Sequence, residues 1–314
     1  MATLNNTLRD NTATSNILTG ENKEFYSKTL LSRLIPELKL AKYASKPTGS
    51  TIPKKAGDTV SFRRFNALAL AKTPLVEGVT PEGKNLSLAT ITATVAQYGD
   101  YVVVTDLVDM MAIDPVLTEA GVILGEQAGQ TTESIISDII FAGTSVYRSG
   151  GVATQVLTAT TITEADILAV SGMLKKAKVK RFSDGYYHAL VPIKVANDIR
   201  QLEAWIKANT YRHDGLVSGD VGVLHGVKFI EMEEDFVVKY TGAGASGADL
   251  YASLFMGRDY FGIPDIEGSA KPEMIVHQAG GNSDPLNQRA TAGWKNLFTV
   301  KRLNEACAVR LESK

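Results

Sequence analysis

Gly242, Gly244 and Gly247, in the stretch YTGAGASGADLY, carry the G-x-G-x-x-G spacing. Glycines so placed let a backbone turn approach a dinucleotide pyrophosphate, which rests on the N-terminus of the helix that follows. The apolar run FVVKY precedes them, as a first strand would, and Asp265 and Glu267 follow at nearly the distance suited to a ribose. That chemistry requires a helix directly after Gly247. The residues there, ADLYASLFMG, are rich in aromatic side chains and read as a strand. Residues 249–314 also lack the helices that repeated βαβ units need. The stretch is expected to be a Gly-Ala-Ser loop that binds no nucleotide, and Gly244→Ala is expected to leave folding unchanged.

The other reactive side chains are scattered. His188, His213, His225 and His277 have no metal-ligand spacing with one another or with the single cysteine, Cys307. Cys307 lies in ACAVRLE, an apolar alternation that suits a small core residue better than a catalytic thiol. P-loop, nucleophile-elbow, zincin and calcium-loop motifs are absent, so no catalytic residue, cofactor or metal site is assigned. Two charge clusters remain. Lys175, Lys176, Lys178, Lys180 and Arg181 lie within seven residues, and Glu231, Glu233, Glu234 and Asp235 within five. Such carboxylates could hold a divalent ion and such lysines could meet phosphate. Both runs also suit solvated faces. A third reading is contact between copies of the chain, since opposite charges steer association.

The chain that positions these residues is 44% hydrophobic and 21% charged, which places it among globular proteins. At 314 residues a single core begins to split into subdomains. A formal net charge of −1 supplies neither an overall basic field for nucleic acid nor an acidic excess. One cysteine leaves no disulfide framework and suits a reducing cytosol. No segment is apolar for long enough to span a membrane, and the N-terminal stretch lacks the apolar centre of a signal peptide. Synthesis in the cytosol, with no membrane partner, is expected.

Residues 1–21 are polar and rich in Asn and Thr, with too little apolar surface to order themselves. From Phe25 to Tyr43 apolar residues recur at helical spacing, interrupted by Pro36. TVSFRRF and LSLATITATVAQYGDYVVVT then alternate as strands. Between them lies a tip, residues 67–87, that combines Leu68, Leu70, Leu75 and Val76 with two prolines and two glycines. A long hairpin with little surface to bury in itself needs a neighbour. Residues 114–143 read as one long helix, opened by Asp114 and Pro115 and closed by Gly143. Its expected apolar stripe is Val116, Ala120, Ile123, Leu124, Ile135 and Ile139, and Gly121, Gly125 and Gly129 form a ridge that suits close packing of another backbone. Thr163 caps a further helix, YYHALV is a strand, PIKVANDIRQLEAWIKA a helix and GVKFIEME a strand; after Asp249 strands and turns dominate. The fold class is α+β.

This order of parts resembles the major capsid proteins of tailed bacteriophages. Three stretches carry the resemblance. GDVGVLHGVKFIEMEE (219–234) is similar to the loop and strand of the family's axial domain, and YYHALVPIKVANDIRQL (186–202) to the strand and helix before it. DPLNQRATAGWKNLFTVKRLNEACAVRLE (284–312) resembles the closing strands of one branch, with Gly293-Trp294-Lys295 and Leu303-Asn304-Glu305. The resemblance implies an N-terminal arm (1–50), an extended loop (51–106), a peripheral domain (107–160 and 249–314) and an axial domain (161–248). It further implies self-assembly into hexamers and pentamers, an icosahedral shell around double-stranded DNA, and a place in the virion capsid after assembly in the host cytoplasm. Portal, scaffold and decoration proteins are the partners it suggests. Some members cross-link lysine to asparagine; Lys72, Lys84, Asn282, Asn287 and Asn304 occupy the corresponding regions, and no cross-link is expected here. The expected subunit interface comprises Leu68, Leu70, Leu75 and Val76 at the loop tip, with Lys176, Lys178 and Lys180 meeting Glu231, Glu233 and Glu234. The alternatives are the shell of a bacterial encapsulin nanocompartment and, resting on the glycines, a nucleotide-dependent cytosolic enzyme.

Overall fold

In the computed structural model the described residues are 39–46, 58–66, 68–75, 77–80, 82–111, 116–210, 222–233, 236–264, 272–277, 286 and 288–314. The alternating run after the loop tip is not one strand but two. It divides at Val95 into β2 (Leu88–Thr94) and β3 (Ala96–Thr105). β2 pairs antiparallel with β1 (Thr59–Phe65) over all seven residues, from Thr59 opposite Thr94 to Phe65 opposite Leu88. The Val95 N–H donates to the Asp58 carbonyl and closes the base of this hairpin. β3 leaves it and pairs elsewhere.

After the short helix α1 (Asp106–Met111), α2 (Val116–Phe141) is 26 residues long, an axis of about 39 Å at 1.5 Å per residue. Asp114 and Pro115, its expected cap, lie outside the described residues. The buried face runs through Ala120, Leu124, Ala128, Thr132, Glu133, Ile136, Ser137 and Ile140, with Gly121, Gly125 and Gly129 buried beside them. Ile123, expected in the apolar stripe, is 61% exposed. The small residues decide the packed face, because they let a sheet come close, whereas a large side chain at 123 is turned away. α2 serves two cores. Leu124 and Ala128 pack with Met274, Val276, Ala292 and Trp294. Ile136, Ile140 and Phe141 join the main core.

The main core surrounds a seven-stranded mixed sheet. Its strands are β4 (Val146–Arg148), β5 (Tyr187–Pro192), β6 (Gly222–Leu224), β7 (Val227–Met232), β8 (Lys239–Tyr240), β9 (Leu250–Met256) and β14 (Ala308–Ser313). The order is β4-β14-β9-β5-β7-β6, with β8 on β9. The sheet thus takes strands both from 161–248 and from 249–314. Every residue of β5 is buried, as a central strand requires. α3 (Glu164–Lys176) packs against β14 and α4 (Ile193–Arg200) against β5 and β7. α3 opens as expected at Thr163, in a reciprocal box with Asp166. The single helix expected after Pro192 is two, α4 and α5 (Glu203–Thr210), interrupted at Gln201 and Leu202.

A second sheet has the order β11-β12-β3, formed by β11 (Glu273–His277), β12 (Arg289–Phe298) and β3. A short ladder joins β10 (Phe261–Gly262) to β13 (Lys301–Arg302). Gly99 and Gly293 mark the closest approach of β3 to β12. A Cβ on Gly99 would lie 2.5 Å from the Trp294 carbonyl oxygen, and one on Gly293 2.8 Å from the Tyr101 Cβ.

Before the hairpin, a 3-10 turn at Leu40–Tyr43 docks on both α2 and the main core. Leu40 is fully buried, and its N–H donates to the carboxylate of Glu133 at 2.8 and 3.1 Å. Burial of Glu133 pushes its pKa up to about 7, against the opposing pull of those backbone N–H groups and of Lys39 and Lys42.

Candidate functional site

Among the described residues, buried apolar packing holds the hairpin at its base. Val60, Phe62 and Ala93 form a small cluster with Ile91, Val95 and Leu303. Beyond it the chain is uncovered: Phe65, Leu68, Leu70, Leu75, Val79 and Leu86 are between 53% and 78% exposed. Of the expected tip residues, Val76 lies outside the described ones. A row of large apolar side chains at such exposure is a surface made for a partner.

A second apolar surface lies on β3. It ends the order β11-β12-β3, so among the described residues one backbone edge has no strand beside it. Open edges of this kind are templates for another chain. Tyr101, Val102 and Val103 are exposed along it, and Leu107 and Met111 continue the patch on α1. Gln127 ties this strand to α2 by donating to Asp100 at 2.7 Å while accepting from the Trp294 indole at 3.0 Å. The Gln127 amide and the Tyr101 N–H hold the Asp100 carboxyl below its ordinary pKa.

Among the described residues, no ion pair joins the two charge clusters within one subunit. Glu231 pairs with Arg200 at 2.9 Å and Glu233 with Lys39. Glu234 lies outside the described residues. Lys176 is exposed at the end of α3, whereas Lys178 and Lys180 line a cleft beneath the hairpin. Lys46, Arg63, Arg64 and Arg258 line the same cleft. Sequence reading missed this gathering because its segments lie far apart in the chain. The one signal was Arg63-Arg64, two adjacent cations that interrupt the alternation of TVSFRRF. Cys307 lies at the cleft wall but is buried, and burial pushes its thiol pKa up. The Asn304 side-chain amide donates to its sulfur at 2.9 Å.

The glycine stretch is a tied loop. Gly242 N–H donates to Asp249 Oδ1, Gly244 N–H to the Ala248 carbonyl and Ala245 N–H to the Thr158 carbonyl. A 3-10 turn at Ala245–Gly247 leads into β9, a strand where a dinucleotide site needs a helix. The expectation that Gly244→Ala is harmless needs correction. A Cβ there would sit 2.8 Å from Leu250 Cδ2 and 2.9 Å from the Ala248 carbonyl oxygen. Asp265, Glu267 and His213 lie outside the described residues. Among those described, no group of three His, Cys, Asp or Glu side chains could hold a metal ion, and no helix is long and apolar enough to cross a membrane.

Comparison with known proteins gives these surfaces a context. No curated protein matches the sequence. In fold, the chain is similar to the capsid of cyanophage Pam1, with TM-score 0.63, 18% identity, and 83% of this chain and 86% of that one covered. The capsid of Ralstonia phage GP4 matches with TM-score 0.62 and 14% identity over 85% and 86% of the two chains. The virus-like particle of Pyrococcus furiosus matches with TM-score 0.53 and 10% identity over 93% and 99%. The sequence profile of the family described as phage capsid protein matches residues 88–306, well over half of the chain. The loop, the long helix and the two sheets therefore belong to a member of the phage capsid protein family.

Proposed function

We propose that this protein is the major capsid subunit of a tailed phage, assembling through hexamers and pentamers into an icosahedral shell around double-stranded DNA. The observation that carries the reading is the extended hairpin, with six large apolar side chains more than half exposed beyond its anchored base. In a closed symmetric shell every copy can give and receive the contact such a loop needs. Residues 1–50 act as the arm and the β1–β2 hairpin as the extended loop; α2 with the β11-β12-β3 sheet forms the peripheral part, and the axial part is wider than the expected 161–248, because the seven-stranded sheet joins β4, β9 and β14 to the strands of that segment. The role is structural, without catalysis. Its place is the virion, reached from the host cytoplasm, with portal, scaffold and decoration proteins as further partners. The family match favours a phage shell over a nanocompartment.

The test shortens the loop. Asn66 N–H donates to the Ser87 carbonyl, and the Asn66 side chain bonds Ser87 Oγ, so the ladder already narrows where a turn can replace residues 67–87. With a Gly-Asn turn there, the subunit should unfold cooperatively at an unchanged Tm and form no closed shells by light scattering and negative-stain microscopy. Normal shells from the shortened chain would place the assembly contact elsewhere. A chain that no longer folds would mean that the loop packs on its own subunit.

A further inference from the structure

The cleft beneath the hairpin has a volume of about 560 Å³, within the range of small-ligand sites, about 300–1,000 Å³. Its described lining carries six cations, Lys46, Arg63, Arg64, Lys178, Lys180 and Arg258, against a single carboxylate, Asp259. That carboxylate is already engaged: it accepts from Ser45 Oγ at 2.9 Å and lies 3.8 Å from the Arg258 guanidinium. Arg63, Arg64, Lys178 and Lys180 make no ion pair among the described residues. Like charges held together repel one another, and an anion placed among them relieves the repulsion.

One wall of the cleft is built from two loops locked together. Arg258 N–H donates to the Lys180 carbonyl at 2.9 Å. The loops approach so closely that a Cβ on Gly257 would meet Val179 Cγ1 and lie 2.7 Å from the Lys180 carbonyl oxygen. Lys178, Lys180 and Arg258 are thereby presented as one group. Each loop is also strained at the cleft, with φ at 54° for Lys178 and 67° for Asp259. Lys178 is the residue after the C-cap of α3. Val179 N–H donates to the Leu174 carbonyl and Lys178 N–H to that of Lys175, the pairing in which glycine is favoured at the Lys178 position. A lysine held in a glycine's conformation marks a position whose side chain is used. The other wall is the hairpin, which supplies Arg63 and Arg64 from β1. Phe62, Ile91 and Leu303 line the cleft as well and belong to the apolar cluster at the hairpin's base.

The anion that suits this cleft is small and densely charged. A terminal phosphate carries about −1.5 to −2 charges and three acceptor oxygens in little volume. Guanidinium groups grip such oxygens through paired parallel hydrogen bonds. A peptide supplies one charge per acidic side chain and brings its backbone with it, so few of its carboxylates could reach these cations at once. A duplex spreads its phosphates along two ridges and is too broad to enter; it would touch only the rim. A linear chain of phosphates satisfies both the number of cations and the volume between the walls.

We propose that the cleft binds a linear phosphate chain, either free polyphosphate or the triphosphate of a nucleotide, which bridges Arg63 and Arg64 of the hairpin to Lys178, Lys180 and Arg258 of the subunit body. The ligand fixes the hairpin, and no bond is made or broken. The site belongs to the subunit and does not rest on the shell reading above. The experiment titrates tripolyphosphate and ATP calorimetrically into the full-length protein at low salt. Arg64→Ala combined with Lys180→Ala should weaken tripolyphosphate binding about tenfold or more and leave the ligand-free Tm unchanged or higher. Lys175→Ala combined with Lys176→Ala removes the same charge from the nearby end of α3, outside the cleft, and should change affinity less than about twofold. Lys178→Gly relieves the backbone, so it should raise Tm and still weaken binding, which separates a side chain that holds the ligand from one that holds the fold. Amides of β1 and β2 should exchange more slowly with tripolyphosphate in the wild type and not in the cleft variant. Equal affinity for ATP and tripolyphosphate would support the proposal with the phosphate chain alone as ligand. Much tighter ATP binding would support it with the nucleoside seated on the apolar wall. Absence of saturable binding, or an equal loss in the Lys175 and Lys176 control, would overturn it. So would a cleft variant that loses affinity for duplex DNA while tripolyphosphate fails to bind the wild type, which would assign the cleft to nucleic acid.

Discussion

Glu133 gives a pH dependence whose size can be worked out. Glu133 is 1% exposed, and burial raises its pKa from 4.5 to about 7. A carboxyl with a raised folded pKa binds more protons in the folded than in the unfolded chain between those values. Its contribution is therefore most favourable below pH 4.5 and is lost as pH rises through about 7. Integrated from pH 5 to pH 8, the loss is about 2.5 kcal/mol, at 1.36 kcal/mol per pKa unit. Glu133→Gln keeps an oxygen to accept the Leu40 N–H and cannot ionise. Urea unfolding of both proteins at pH 5, 6, 7 and 8, at concentrations too low for assembly, isolates the effect, because other titrations cancel in the difference. The gap between variant and wild type should move by about 2.5 kcal/mol in the variant's favour across this range, roughly 4 °C in Tm. Parallel curves would refute the reasoning, since a constant gap means that Glu133 acts only as a hydrogen-bond acceptor.

Two further outcomes follow from close backbone approaches. Gly244→Ala forces a methyl against the Ala248 carbonyl and Leu250, and should destabilise the subunit by about 1–3 kcal/mol in urea unfolding. Gly99→Ala places a methyl 2.5 Å from the Trp294 carbonyl oxygen and should cost at least as much, about 2–3 kcal/mol, with weaker amide-exchange protection on β3 and β12.

Local signals were read well where they were self-contained. Thr163 and Asp166 sit three residues apart and make their box without help from the rest of the chain. The strand after Gly247 was legible from aromatic side chains that no dinucleotide helix would place there. The packed face of α2 was not. Periodicity weighs large apolar residues and so included Ile123, while the sheet chose the face where glycine and alanine leave room. Nor could alternation reveal the break at Val95, since β2 and β3 alternate alike and differ only in their partners, β1 and β12. The cleft was the least legible feature. Lys46, Arg63, Lys178 and Arg258 share no motif, and only tertiary packing brings them together.

That break at Val95 has a mechanical meaning. One residue separates the hairpin from a strand laced to α2 through Gln127, so the loop and the long helix are joined by a single-residue pivot. Copies in a closed shell sit on surfaces of unequal curvature. A change in the pitch of the arm would centre on this residue, and it would have to bend the Val95–Asp58 hydrogen bond and shift Val95 against Leu303. Strain applied to the arm would therefore be felt first at this one braced residue, before it reached either sheet.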